Sequence, residues 1–144
     1  MDNRYQTYRQ VEVSTTNRGK IVVMLFSGAI TFLNKAKSYM EKKDYANKSK
    51  FLIKAMNIVE ELNIALDMQK GQEIAKNLKS IYQFLERYLQ QANFENDPAK
   101  IDKAIKILDR LKTAFDEILK NPEYQEAQDI NKKEQVESCI RKFA

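Results

Sequence analysis

The chain has 144 residues, 43% hydrophobic and 31% charged, which suits one soluble globular domain. Three glycines and two prolines are too few for an all-β fold with many tight turns, and the absence of histidine excludes His-dependent hydrolases and His-ligated metal centres. The net charge of +5 is compatible with binding to nucleic acid, a membrane surface or an acidic partner, or simply with a solvated surface. The single cysteine, Cys139, excludes an internal disulfide.

The first 16 residues are polar, and the apolar or aromatic residues spaced through them are Tyr5, Tyr8, Val11 and Val13. No second strand pattern exists to pair with this segment, so we interpret it as an extended arm. Thr16 and Asn17 predict the N-cap of the first helix. No secretory pattern is present and no apolar run reaches the roughly 18 residues of a membrane span, so we expect a cytoplasmic protein without membrane insertion.

Four amphipathic helices follow, because apolar residues recur three and four positions apart. Their predicted bounds are 17–42, 44–69, 72–92 and 98–121. Gly71 is interpreted as the turn between the second and third helices, and Asp97-Pro98 as the cap and first residue of the fourth. Asn121-Pro122 is expected to end that helix.

Short connections between these helices predict an all-α, antiparallel up-down four-helix bundle. The expected domain organisation is an arm at 1–16, the bundle at 17–121 and a polar, weakly helical tail at 122–144, all in one domain. The predicted core includes Met24, Leu25, Leu33, Ile58, Leu62, Leu78, Leu85, Leu108 and Phe115.

The side chains offer little for catalysis. Glu60 and Glu61 supply carboxylates, but the di-iron bundles that use such residues also need histidine. The three glycines do not form a phosphate-binding loop, and Cys139 lies in a polar tail. We therefore predict a protein that is not an enzyme and that needs no metal or cofactor.

Lysines are concentrated around the first connection between helices. They are Lys35, Lys37, Lys42, Lys43, Lys48, Lys50 and Lys54. Arginine and exposed aromatic residues, which nucleic-acid sites usually place among such lysines, are not evident there. The pattern favours a solvated face over a nucleic-acid site.

Several apolar residues lie outside the helical stripes. Ile53, Met56 and Ile64 are about 100° to 140° from the stripe of the second helix, while Phe84 and Ile107 leave the stripes of the third and fourth. One interpretation is a core wide enough to touch two neighbouring helices. The other is surplus apolar surface that receives a partner helix, with the arm covering it when the partner is absent.

Motifs in order along the chain resemble the flagellar secretion chaperones, the FliS family. The motifs are Tyr8 and Val13-Ser14-Thr15 in the arm, Ile21-Val22-Val23-Met24-Leu25-Phe26-Ser27-Gly28 in the first helix, Ile58-Val59-Glu60-Glu61-Leu62 with Leu66-Asp67 in the second, and Asn77-Leu78 with Ile81-Tyr82 and Leu89-Gln90-Gln91-Ala92-Asn93 in the third. The chain departs from the family's pattern at Asn17-Arg18, Phe26, Ser27 and Phe115, where Ser-Pro, Tyr, an acidic residue and Trp are common.

This resemblance implies a cytoplasmic chaperone that binds the disordered C-terminal segment of flagellin, prevents premature polymerisation and helps deliver flagellin to a component of the export gate. It implies a monomer in a one-to-one complex with flagellin. The partner-binding residues predicted from the surplus apolar positions and their neighbours are Ile53, Met56, Asn57, Ile64, Ile81, Tyr82, Phe84 and Tyr88, with Tyr5, Tyr8, Val11 and Val13 as the groove-capping arm. The alternative is a helical adaptor or oligomerisation bundle that binds another amphipathic helix.

Overall fold

The structure is a computed structural model that describes residues 15–120, with side chains from Gly19 onward. It contains four helices, α1 (Thr15–Glu41), α2 (Tyr45–Ile64), α3 (Met68–Glu95) and α4 (Pro98–Leu119), and this described part has no strand. The predicted all-α class is confirmed. The arm and the C-terminal tail lie outside the described residues, so the predicted domain bounds stay predictions.

The helices form a closed ring of antiparallel neighbours. α1 packs on α2 and α4, and α3 packs on the same two helices from the other side. A Cβ atom added at Gly19, early in α1, would collide with Leu119 at the end of α4, whereas Lys37 near the end of α1 pairs with Asp102 near the start of α4. The bundle is therefore up-down, as predicted.

Aspartate side chains start three of the helices. Asp44 accepts a hydrogen bond from the Asn47 backbone N–H at 3.2 Å, and Asp97 accepts one from the Ala99 N–H at 3.0 Å. Pro98 occupies the first turn of α4, where a missing N–H costs nothing. These caps satisfy amide groups that have no partner within the helix.

Several predicted helix boundaries are wrong. Thr15 is already helical in the described part of α1, so the expected cap residues Thr16 and Asn17 lie inside the helix. α2 ends at Ile64 and not at 69, and α3 spans Met68–Glu95 and not 72–92.

Gly71 is not the turn between α2 and α3, because the chain reverses at residues 65–67. Asp67 caps α3 by accepting from the backbone N–H groups of Gln69 and Lys70. Gly71 lies inside α3, and the irregularity falls on Gln72, whose φ of 49° and ψ of −125° kink the helix.

The core is built around small residues flanked by large ones. Its buried hydrophobic residues are Val22, Phe26, Ala29, Leu33, Ala36, Met40, Leu52, Ala55, Val59, Leu62, Ala75, Leu78, Tyr82, Leu85, Leu89, Ala92, Ile101, Ala104, Leu108 and Phe115. Leu25 and Ile58 are partly buried against this core. Met24 is 62% exposed, so its assignment to the core is wrong. The run 21–26 is apolar on every side, and its periodicity leaves the buried face undecided.

The stretch Gly19–Glu41 is long and apolar enough to cross a membrane by length and composition alone. The prediction that no apolar stretch reaches that length is therefore wrong. In the structure Phe26 and Leu33 of this stretch are fully buried in the bundle. A core helix of a globular protein has the same composition, so the stretch is accounted for by packing within the fold.

Candidate partner-binding surfaces

The predicted partner-binding residues of α2 lie along its outer side. Ile53 is 49% exposed and Ile64 is 74% exposed, and the side chain of Asn57 is also in contact with solvent. Met56 is half-buried and packs against the core. We call these four residues, Ile53, Met56, Asn57 and Ile64, the α2 strip.

The predicted residues of α3 divide between surface and core. Phe84 is exposed and stacks on Tyr88, with ring centroids 5.0 Å apart, and Ile81 is half-buried beside them. Tyr82 is fully buried, so its interpretation as a surface residue is wrong. It lies at the centre of the buried stripe of α3, 6.5 Å from the ring of Phe26. Burial raises the pKa of the Tyr82 phenol, whose hydroxyl has no hydrogen-bond partner among the described residues.

The structure places the α3 residues on the side of that helix that faces α4, not α2. The Lys100 and Lys103 ammonium groups of α4 lie 5.5 and 5.6 Å from the Tyr88 ring centroid. Asn93, which bonds to α2, follows Tyr88 by five residues and is therefore about 140° around the helix. The predicted set does not form one site.

The flank of α4 next to Tyr88 adds apolar residues to the predicted residues of α3. Ile107 and Leu111 follow Lys100 by seven and eleven residues, which places them within about 20° of it on the helix surface. Both are half-buried, and the packing between α3 and α4 is the sparsest in the ring. We call Ile81, Phe84, Tyr88, Ile107 and Leu111 the α3–α4 groove.

The site predicted from the sequence does not include four residues of this region: Lys100, Lys103, Ile107 and Leu111. Ile107 was identified as off its stripe but not assigned to the site, and Leu111 was assigned to the core stripe. Lys100 and Lys103 carry no signal until Tyr88 is known to lie next to α4. The spacing of seven and eleven residues in α4 is the signal that identifies Ile107 and Leu111 as neighbours on one side of the helix.

Between α2 and α3, the carboxyl groups of Glu60 and Glu86 are close enough to hydrogen-bond. Burial first, and then the contact with Glu60, raises the pKa of Glu86 to about 7. The Oε1 atom of Glu86 is buried and finds no donor among the described residues. Two ionised carboxylates cannot donate to each other, so this contact forms only when the pair holds a proton.

The lysine-rich region differs from its prediction in two ways. Lys48 is only 4% exposed and donates from Nζ to the Asn93 carbonyl oxygen at 2.8 Å, so it belongs to the core and not to a solvated face. Desolvation lowers the pKa of Lys48. Half-buried aromatic rings lie among the other lysines: Phe51 stacks on Tyr39 at 5.5 Å and contacts Phe32 at 6.0 Å between centroids. The expectation that no exposed aromatic residue accompanies the lysines is wrong at Tyr45, which is 47% exposed.

The structure also gives physical roles to residues of the quoted motifs. Gly28 leaves room for Ile58, whose Cδ1 atom would be 3.3 Å from an added Cβ. Asp67 caps α3, and Asn93 accepts hydrogen bonds from Lys48 and Ser49 across the α2–α3 interface. Phe26 and Phe115 pack at 5.5 Å between centroids in a buried position that requires no hydroxyl or indole group.

The fold and its surface define the chain as an antiparallel four-helix bundle with apolar side chains left partly exposed on α2 and on α3. The model of the family described as flagellar protein FliS matches residues 1–122. The chain is 38% identical to the flagellar secretion chaperone FliS of Vibrio cholerae, over 86% of this chain and 93% of that protein, and 34% identical to the FliS of Salmonella typhimurium, over 85% and 94%. It is 30% identical to the flagellar secretion chaperone FliSB of Pseudomonas aeruginosa, over 82% and 94%.

The chain therefore belongs to the FliS family of flagellar secretion chaperones. The resemblance inferred from its motifs is confirmed.

Proposed function

We propose that the protein is a cytoplasmic chaperone that binds the disordered C-terminal segment of flagellin, prevents premature polymerisation and helps deliver flagellin to the export gate. The observation that carries this proposal is the pair of partly exposed apolar surfaces, the α2 strip and the α3–α4 groove, in a member of the FliS family. The bundle core is complete without Ile64 and Phe84, so the fold alone does not account for them.

A disordered partner loses conformational entropy when it binds, at a cost of about 2–5 kcal/mol. Burial of apolar surface offsets this cost, and two separate surfaces allow one long chain to be held at several points. The stacked pair Phe84 and Tyr88 offers a large contact area with few torsions to freeze, and the Tyr88 hydroxyl can bond to a peptide backbone. We propose that one monomer binds one flagellin tail across both surfaces.

Charge substitution at each surface tests the proposal. Ile64→Lys in the α2 strip and Phe84→Lys in the groove place a charge where apolar contact is expected, while a surface lysine keeps its ammonium group in water and leaves the fold intact. We expect each to weaken the binding of a flagellin C-terminal peptide at least about tenfold in titration calorimetry, with little change in melting temperature.

Gln83→Lys is the matched control, because Gln83 is exposed and adjacent to Phe84 but does not belong to the groove. Wild-type affinity in both apolar-site variants would contradict the proposed surfaces. If the wild-type protein does not bind the flagellin peptide but binds an unrelated amphipathic helix through the same groove, the alternative of a helical adaptor is correct.

We further propose that the arm covers apolar surface in the free protein. Its residues Tyr5, Tyr8, Val11 and Val13 lie outside the described residues, so the support is their apolar spacing. Deletion of residues 1–14 should then increase the binding of a hydrophobic dye and self-association. Unchanged dye binding and an unchanged sedimentation coefficient would show that the arm covers nothing.

A further inference from the structure

Three lysines converge on one aromatic ring at the α1–α2 face. The ammonium groups of Lys35, Lys50 and Lys54 lie 5.4, 6.0 and 5.2 Å from the centroid of Phe51. Lys54 is also 5.5 Å from the centroid of Phe32. We call these three lysines, with Phe32, Tyr39 and Phe51, the basic–aromatic patch.

The positive charge of this patch is not neutralised within the described residues. None of its three lysines forms an ion pair with any residue between 19 and 120. Residues 34–59 contain seven lysines and only two carboxylates, Glu41 and Asp44, and Asp44 is engaged by Asn47 at 2.7 Å. Ammonium groups gathered around one ring repel each other over distances shorter than the Debye length of about 8–10 Å.

From this unneutralised charge we infer that the basic–aromatic patch is a docking surface for an acidic segment of a second protein partner, on the opposite side of the bundle from the α3–α4 groove proposed for flagellin. Aspartate or glutamate side chains of such a segment would neutralise Lys35, Lys50 and Lys54 together. The Phe51 ring holds the three ammonium groups near one point through cation–π attraction, which reduces the freedom that each lysine loses on binding.

The arrangement of the rings favours a protein segment over a nucleic acid. Single-stranded nucleic acid binds by stacking its bases on exposed aromatic faces. Phe51 is stacked on Tyr39 with an angle of only 6° between their planes, and lysine ammonium groups lie over the Phe51 ring as well. An incoming base must displace Tyr39 or the lysines to stack on Phe51, whereas a carboxylate needs only the ammonium groups.

The patch lies apart from the α3–α4 groove, although Lys50 and Lys54 border the α2 strip at Ile53. Lys35 belongs to α1 and Lys50 and Lys54 to α2, so the patch lies across the bundle from the α3–α4 groove. A flagellin segment in that groove leaves the patch accessible. The two surfaces allow the protein to hold flagellin and an acidic partner at the same time.

The test compares two triple variants of the full chain that lose the same charge. Lys35→Gln, Lys50→Gln and Lys54→Gln are combined to remove the patch. The control combines Lys70→Gln, Lys79→Gln and Lys106→Gln, all at exposed positions of α3 and α4 with no aromatic ring contact among the described residues. The probes are a fluorescent oligoglutamate peptide and an oligouridylate of equal charge, measured by anisotropy.

We expect the wild-type protein to bind oligoglutamate more tightly than oligouridylate. The patch variant should bind oligoglutamate at least about tenfold more weakly, and the control variant should stay within about twofold of wild type. Binding of the flagellin peptide should be the same, within about twofold, in both variants and wild type. If the wild-type protein fails to bind flagellin at all, the proposed function is wrong. The oligoglutamate measurement then still tests whether the patch binds acidic segments.

Three results would overturn the inference. Equal weakening of oligoglutamate binding in both triple variants would show a general effect of net charge. Tighter binding of oligouridylate, lost in the patch variant alone, would identify a nucleic-acid site. Loss of flagellin binding in the patch variant would make the patch a part of the cargo site rather than a separate surface.

Discussion

The aromatic rings of the α1–α2 face and those of the α3–α4 face have different surroundings. At the α1–α2 face, where helix packing is most extensive, Phe51 is stacked on Tyr39 and surrounded by lysines. At the α3–α4 face, where packing is sparsest, Phe84 stacks on Tyr88 but remains exposed above a row of half-buried aliphatic residues. One face therefore presents charge and the other presents apolar surface.

This difference shows how one bundle architecture acquires two flanks of different chemistry. In an up-down bundle each helix buries one stripe, and the flanks of that stripe are free to vary. Close packing of α1 on α2 leaves only long lysine side chains to complete the flank, whereas looser packing of α3 on α4 leaves a groove. The interface between α2 and α3 joins the α1–α2 pair of helices to the α3–α4 pair. It contains the contacts Lys48–Asn93 and Glu60–Glu86.

The largest effect is expected from the core that supports both faces. Leu62→Ala should lower the free energy of unfolding by about 2–5 kcal/mol, because Leu62 is only 1% exposed and its truncation leaves a cavity. Ile64→Ala, on the same helix at 74% exposure, should change it by less than about 0.5 kcal/mol. Urea denaturation measures both, and equal losses would mean that the two positions do not differ in burial.

Loss of the Lys48 contact should weaken the packing of α2 on α3 and lower the free energy of unfolding. Lys48→Ala removes the bond to the Asn93 carbonyl group and leaves that acceptor short of a donor, at a cost of about 1–3 kcal/mol. Lys50→Ala, two residues away and exposed, serves as the control and should have almost no effect. Hydrogen exchange should show faster opening at the end of α3 in the Lys48 variant, and unchanged exchange there would contradict the coupling.

The burial of Glu86 and, second, its contact with Glu60 should make stability depend on pH. The pKa of Glu86 is raised from 4.5 to about 7, so the folded protein binds more protons than the unfolded chain between these values. The stability contributed by protonated Glu86 is complete below pH 4.5 and is lost as the pH rises through about 7. In Glu86→Gln the amide should stay hydrogen-bonded to Glu60 at all pH values. At high pH the free energy of unfolding of this variant should exceed that of wild type by about 1 kcal/mol.

Thermal melts between about pH 5 and pH 8 test this expectation. The wild-type melting temperature should fall across the window more than that of Glu86→Gln. Glu73→Gln is the control, because Glu73 is an exposed carboxylate of the same helix that pairs only loosely with Lys76 at 3.8 Å. If wild type and the Glu86 variant show parallel pH profiles, the pKa of Glu86 is not raised in the folded protein.

The smallest effect is expected at the charged face. Lys54→Gln loses cation–π attraction to Phe51 and Phe32 but also relieves repulsion from its neighbouring lysines. These terms oppose each other, so the free energy of unfolding should change by less than about 0.5 kcal/mol. Added salt should shrink the difference further, and a loss above about 2 kcal/mol would show that Lys54 supports the fold instead of being available to a partner.

The sequence by itself determined the fold class and some helix ends. Periodic apolar residues require helices, and short connections require antiparallel neighbours. Asp97 and Pro98 specify the start of α4 locally, because a cap needs only its own side chain and the next few amide groups. The ordered motifs, read together, were sufficient to indicate the family.

Only the tertiary structure decided the rotation of each helix about its axis. The apolar periodicity of the sequence gives α3 a stripe through Ile81 and Tyr88, but the structure centres the buried stripe on Tyr82 and Leu89, about 80° to 120° around the helix from those two residues. Ala55, Ala75, Ala92 and Ala104 are fully buried, because small side chains allow the helices to approach closely and large ones pack beside them. A periodic pattern weights large residues most heavily, so it misplaced the centre of the core.

The candidate surfaces depended on the same rotation. Ile53, Ile64 and Phe84 were correctly predicted to lie outside the stripes, since their spacing from the core residues is a local property. The separation of Phe84 from Ile53 onto different faces, the burial of Lys48 and the gathering of lysines around Phe51 were not predictable. Each depends on which neighbouring helix a flank meets, and that is fixed only when all four helices pack together.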